Sequence, residues 1–75
     1  MNLLNELKKI EYLNQNTKLK ISCVGNIVVE GTYDSYTSAL DNEPEEASIT
    51  IRSALNKGLV EVLESEILSI EKIND

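Results

Sequence analysis

The sequence predicts a mainly β fold, an N-terminal α-helix followed by a five-stranded, strongly bent barrel, and three observations carry that prediction. Apolar residues recur at helical spacing as far as Asn14 and switch to a period of two after Asn16. Glycines and polar clusters then cut the chain into short runs of strand length. One run, from Ile27 to about Ser38, is longer than the others and holds Gly31 in its interior, where a glycine marks a bulge or a sharp bend.

The helix spans Asn2 to Asn14. Leu3, Leu7 and Ile10 form its apolar stripe, widened by Leu4 and Leu13, while Glu6, Lys8, Lys9 and Glu11 fall off it. Asn2 suits the N-cap and Asn14-Gln15-Asn16 the stop. A helix of this length is marginal in water, so the stripe has to dock on something. The barrel covers about residues 17 to 73, and the 75 residues read as one domain.

In Thr17 to Val24, Leu19, Ile21 and Cys23 alternate with Lys18, Lys20 and Ser22, as in a half-buried strand. Gly25-Asn26 suits a tight hairpin turn with a positive φ. After the long bent strand, the stretch Leu40 to Ala47 with Asp41-Asn42-Glu43-Pro44 reads as a solvated acidic loop. Ser48 to Arg52 points Ile49 and Ile51 inward, and Asn56-Lys57-Gly58 gives a turn. Leu59 to Leu63, a short Glu64-Ser65-Glu66 connection, and Ile67 to Lys72 complete the strands. The last two strands carry Leu59, Val60, Val62, Leu63, Ile67, Leu68 and Ile70, which places apolar side chains on both faces. Either the helix covers the second face or another subunit does.

Composition narrows the function. A core built by so short a chain nets about 3–5 kcal/mol, and small folds draw further stability from a disulfide, a metal or a partner. Cys23 is the lone cysteine and histidine is absent, which excludes an internal disulfide and the commonest zinc sites and catalytic bases. Association with another chain remains. The first ten residues lack the apolar run of a signal peptide or membrane span, and the lone thiol suits a reducing compartment, so a cytoplasmic protein away from membranes is expected. Net charge is −6, a field that repels phosphate backbones. Lys8, Lys9, Lys18 and Lys20 nevertheless cluster early in the chain, whereas Glu43, Glu45, Glu46, Glu61, Glu64 and Glu66 come later.

No Gly-rich phosphate loop and no nucleophile with a base partner occurs, so no catalytic role and no cofactor is expected. Asp41, Glu43 and Glu45 lack the spacing and glycine of a calcium loop, which leaves a solvated turn and no metal site. Cys23 points inward and reads as a structural thiol. Tyr33 and Tyr36 lie on the bent strand, where exposed rings could stack on bases, though packing in the core is the simpler role.

The order helix, short strand, Gly-centred turn, long bent strand, loop and three short strands resembles the Sm-like (LSm-type) family, a five-stranded SH3-like barrel. Gly25 matches the hairpin glycine, Val29 and Gly31 the hydrophobic-x-Gly step, and Tyr36 the aromatic that follows. Val60, Val62, the Glu64-Ser65-Glu66 junction, Ile67 and Ile70 match the second motif more loosely. The resemblance implies rings in which the fourth strand of one subunit pairs with the fifth of the next, through Val60, Val62, Leu68 and Ile70.

The family's base-binding residues are altered in this chain. Thr37 and Asp41 stand where the family has Asp and Asn, with Asn42 one step out of register, and carboxylates of Glu64 and Glu66 replace its Arg-Gly. That exchange reverses the attraction for nucleic acid. The function expected is a non-catalytic, homo-oligomeric interaction module, open to a protein partner, with RNA contact weak or absent at the usual site. Two alternatives stand beside it. One is an RNA-binding ring that uses Lys8, Lys9, Lys18 and Lys20 with Tyr36, Thr37 and Asp41, and the other is an acidic decoy of a nucleic-acid-binding protein.

Overall fold

The computed structural model describes residues 2–40, 46–55 and 57–73. Among these residues are one α-helix, α1 (Leu3–Lys8), two single 3-10 turns (Val24–Asn26 and Glu64–Glu66), and five strands: β1 (Lys18–Cys23), β2 (Ile27–Thr37), β3 (Ser48–Ser53), β4 (Leu59–Leu63) and β5 (Ile67–Lys72). All neighbouring strands are antiparallel, in the order β4-β3-β2-β1-β5.

Asn2 caps α1 as its residue type suggests, its side chain accepting the Asn5 N–H at 3.1 Å. The helix is shorter than the stripe predicts, ending at Lys8 instead of Asn14. Tyr12 takes a positive φ of 57°. Beyond it the Asn14 N–H donates to Thr17 Oγ1 and the Asn16 N–H to Asn14 Oδ1. These short polar side chains offer backbone groups a local alternative to further helical turns. Ile10 and Leu13 still pack against the core, from a turn and not from a helix.

Alternation in β1 buries Leu19, Ile21 and Cys23. At the tip of the following hairpin Gly25 and Asn26 adopt φ of 77° and 60°, a conformation tolerated by these two residue types. β2 serves two neighbours: its first half pairs with β1, and from Gly31 onward it pairs with β3. Gly31 sits at the handover. A Cβ there would fall on the Arg52 carbonyl oxygen and lie 2.7 Å from Ile51 Cγ2, so only glycine lets the strands approach this closely. The register shift itself occurs a little later, between Tyr33 and Ser35, with Asp34 as the extra residue. Tyr33 therefore pairs with Ile51 and Tyr36 with Ile49, both against the core, although they stand three apart in sequence.

The same device shapes β5. Ile67 pairs with Cys23 and Ser69 with Ser22, which makes Leu68 the extra residue, and Ile70 then pairs with Ile21. Ile67 and Ile70 both face inward because of that bulge. The apolar residues assigned to two faces of this strand thus divide into an inward pair and one exposed leucine.

The core joins Leu3 and Leu7 of α1 to Leu19, Ile21, Cys23, Ala47, Ile49, Ile51, Val62 and Ile67. Leu3 and Leu7 are what the helix contributes to that core. The closed barrel expected from the sequence is not formed, because β4 and β5 are the two ends of the strand order and no ladder joins them among the described residues. The acidic loop lies mostly outside the described residues, including Asp41, Glu43 and Glu45, as does Asn56 of the turn before β4. No described helix is long and apolar enough to cross a membrane.

Candidate interaction surface

Among the described residues no strand pairs with the outer edges of β4 and β5, and these two edges form the most distinctive surface of the fold. An edge strand presents unpaired backbone donors and acceptors, and proteins usually protect it with lysine, proline or a covering element. β4, Leu-Val-Glu-Val-Leu, contains neither lysine nor proline, and β5 has a lysine only at its end.

The four residues expected at a subunit contact are placed differently from one another. Leu68 is 64% exposed at the β5 bulge. Val60 and Ile70 are half-buried and pack against the core. Val62 is 4% exposed and its side chain belongs to the chain's own core. Leu59, which the sequence reading did not single out for contact, is 58% exposed at the start of β4.

Beside β4 lies a cavity of about 230 Å³ lined by Val28, Val29, Glu30, Ser53, Ala54, Leu55 and Val60. It forms where the β3–β4 turn folds back on β2, the Ala54 N–H donating to the Glu30 carbonyl at 3.0 Å. Leu55 stands almost fully exposed at its rim. The sequence offers one hint of this site, a leucine placed directly before the Asn-Lys-Gly turn.

The junction between β4 and β5, read from the sequence as carboxylates standing in place of a cation, has a structural occupation. Glu64 Oε2 accepts the Leu3 N–H at 2.7 Å and ties the start of α1 to the far end of the chain. Glu66 Oε1 accepts the Leu63 N–H at 3.2 Å. Glu46 accepts hydrogen bonds from Ser65, which hold its carboxyl below the ordinary carboxylate range. These carboxylates organise backbone donors, as acidic groups near a helix start commonly do.

The lysines do not form a uniform basic face. Lys8 is exposed on α1, and Lys9 pairs with Glu6 at 2.9 Å. Lys20 stands between Glu30 of β2 and Glu71 of β5 in the sheet register, which balances its charge locally. Lys18 is exposed one pleat away, opposite Thr32. Tyr36 is half-buried against the core and Thr37 half-buried beside it, and Asp41 lies outside the described residues. Structure thus gathers Lys18 and Lys20 on one sheet face and leaves Lys8 and Lys9 on the helix.

Cys23 is buried, and burial, with the Glu66 charge adding to it, pushes its thiol above the ordinary range. Such a thiol is protonated and inert at neutral pH. Burial, followed by the Asp34 charge, likewise raises the Tyr33 hydroxyl. Among the described residues no group of three or more acidic, Cys or His side chains is placed to hold a metal ion.

No known protein family, no curated protein and no solved structure matches this chain.

Proposed function

We propose that the chain is a non-catalytic, Sm-like interaction module of the cytoplasm that assembles with copies of itself by adding the β5 edge of one chain to the β4 edge of the next. The observation that carries this reading is the pair of edges at the two ends of an open sheet, unpaired among the described residues and carrying exposed Leu59 and Leu68. Each end alone is an unsatisfied ladder, and pairing unlike ends covers both at once. The element order of a short helix, a glycine-turned hairpin and a long strand bent at Gly31 is the order on which the resemblance to Sm-like barrels rests. Contact with RNA at the family's usual site is weak or absent in this reading, because carboxylates occupy the junction and the lysines are divided or balanced.

Light scattering after gel filtration tests the proposal. The wild-type chain should run as a multiple of its 8.4 kDa mass, and Leu68→Lys, an exposed change that leaves the core alone, should shift it toward the single chain. A single chain at every concentration, unchanged by that substitution, would end the proposal.

A further inference from the structure

Along β2 the main-chain groups alternate between two neighbours. The Tyr33 N–H donates to the Thr17 carbonyl at 2.8 Å and the β1–β2 register runs without a shift, so Ile27, Val29, Gly31 and Tyr33 turn their backbone groups toward β1. Val28, Glu30 and Thr32 turn theirs to the opposite side. There the ladder with β3 begins only at Gly31, extended by the Ala54 N–H that donates to the Glu30 carbonyl. Among the described residues nothing pairs with the far side of Val28, an exposed residue. The first half of β2 is therefore a short open edge, separate from those of β4 and β5.

The apolar cavity lies along that edge, and the pleat explains why no side chain of β3 fills it. Ile49, Ile51 and Ser53 share one face of β3, and Leu55 is the next residue in that series. Had the strand run on in register, Leu55 would lie opposite Val29, with its side chain between Val29 and Val60. The chain turns instead, the Lys57 N–H donating to the Ser53 carbonyl at 2.9 Å, and Leu55 swings out to solvent. Its seat is the cavity. At about 230 Å³ the space is smaller than the ~300–1,000 Å³ of small-molecule sites and suits one aliphatic side chain.

An extended main chain satisfies both features. A strand residue paired with Val28 shares its outward face, and the residues on either side of it point inward, one of them opposite Val29 and into the cavity. The outward residue has Glu30 as its diagonal neighbour, within reach of a long side chain. Glu30, Lys20 and Glu71 form a cross-strand row with one negative charge in excess, whereas Lys18 and Arg52 flank Thr32, farther along the same face. That excess, on a chain of net charge −6, favours lysine or arginine in the partner. We infer that the open edge of β2 at Val28 binds an extended peptide of another protein in which a basic residue stands beside an aliphatic one, the aliphatic side chain filling the cavity between Val29 and Val60. This recognition does not depend on assembly through β4 and β5.

The test is an NMR titration of isotope-labelled protein with an acetylated, amidated peptide, Thr-Leu-Lys-Val-Lys-Leu-Thr. Saturable shifts of the Val28 amide and of the Val29 and Leu55 methyl groups are expected. N-methylation of both peptide lysines, whose amides face β2, should weaken binding about tenfold or more. N-methylation of the leucines and valine, whose amides face away, should leave it within about twofold. Serine in place of those aliphatic residues should again weaken it about tenfold or more. Shifts confined to Leu59–Leu63 or Ile67–Lys72 would place strand addition at the ends of the sheet and overturn the inference. Equal responses to the two methylated peptides would overturn it as well, since binding would then follow lysine charge alone. Unmoved Val28 and Leu55 signals at about 1 mM peptide would have the same consequence.

Discussion

Gly31→Ala is the substitution that most directly probes the bend on which the sheet depends. Gly31 has no positive φ to defend, so its requirement is purely steric. The added methyl would land on the Arg52 carbonyl oxygen, with the Arg52 carbonyl carbon at 2.8 Å and Ile51 Cγ2 at 2.7 Å. Two of those obstacles are backbone and cannot rotate away, so β3 would have to separate from β2. Overpacking a tight site costs about 1–3 kcal/mol, and a backbone obstacle belongs at the upper end of that range. A domain of this size rarely holds more than about 3–5 kcal/mol in all, so a loss of about 2–3 kcal/mol takes a large share of its stability. At about 4–8 °C per kcal/mol, the melting temperature should fall by roughly 8–24 °C. Gly25→Ala is the matched comparison. Its Cβ meets only Ile27 Cδ1 at 3.9 Å, and the penalty comes from a φ of 77°, about 1–2 kcal/mol. Urea unfolding followed by circular dichroism compares the two. If Gly31→Ala stays within about 0.5 kcal/mol of wild type, ordinary for a harmless surface change, then β2 and β3 do not approach as described.

Three further outcomes follow from the packing and the charges. Leu3→Ala removes a fully buried side chain that joins α1 to the core, so urea unfolding should show a loss of about 2–5 kcal/mol, enough to leave much of the chain unfolded. The Glu46 carboxyl is depressed below its ordinary value near 4.5 in the folded chain. Its contribution to stability is present above that value and lost as pH falls through the lower folded value, so Glu46→Gln should flatten the acid limb of a stability-against-pH curve. Cys23 and Tyr33 are both raised, so the folded chain keeps protons that the unfolded chain releases, and stability should decline as pH rises past about 9. Cys23→Ala should remove the earlier part of that alkaline decline, and a thiol reagent should label Cys23 slowly in native buffer and rapidly in urea.

Much of the fold was legible from residue patterns, and the departures have local causes. The alternation in β1, the Gly25-Asn26 hairpin and the inward Ile49 and Ile51 follow from side-chain period and turn chemistry alone. Helix length did not, because Ile10 and Leu13 keep the helical stripe while Asn14 and Thr17 draw the backbone into a turn. The apparent two-sided apolarity of β5 was a matter of register, since a bulge at Leu68 turns Ile67 and Ile70 to one face, and no pattern in the residues announces that slip. Closure of the sheet was inferred from strand number, but strand number does not fix whether the ends meet, and here β4 and β5 remain apart. On the surface, Leu68, named from the sequence, is exposed at the β5 bulge. The burial of Val62 was not legible, because inward and outward positions on an edge strand are separated only by the pairing with β3.

Hydrogen–deuterium exchange at increasing protein concentration addresses the pairing of unlike edges most directly. Backbone amides in Leu59–Leu63 and Ile67–Lys72 should gain protection together as concentration rises, while those shared by β1 and β2 stay constant. Exchange at both edges that is rapid and independent of concentration would contradict the account.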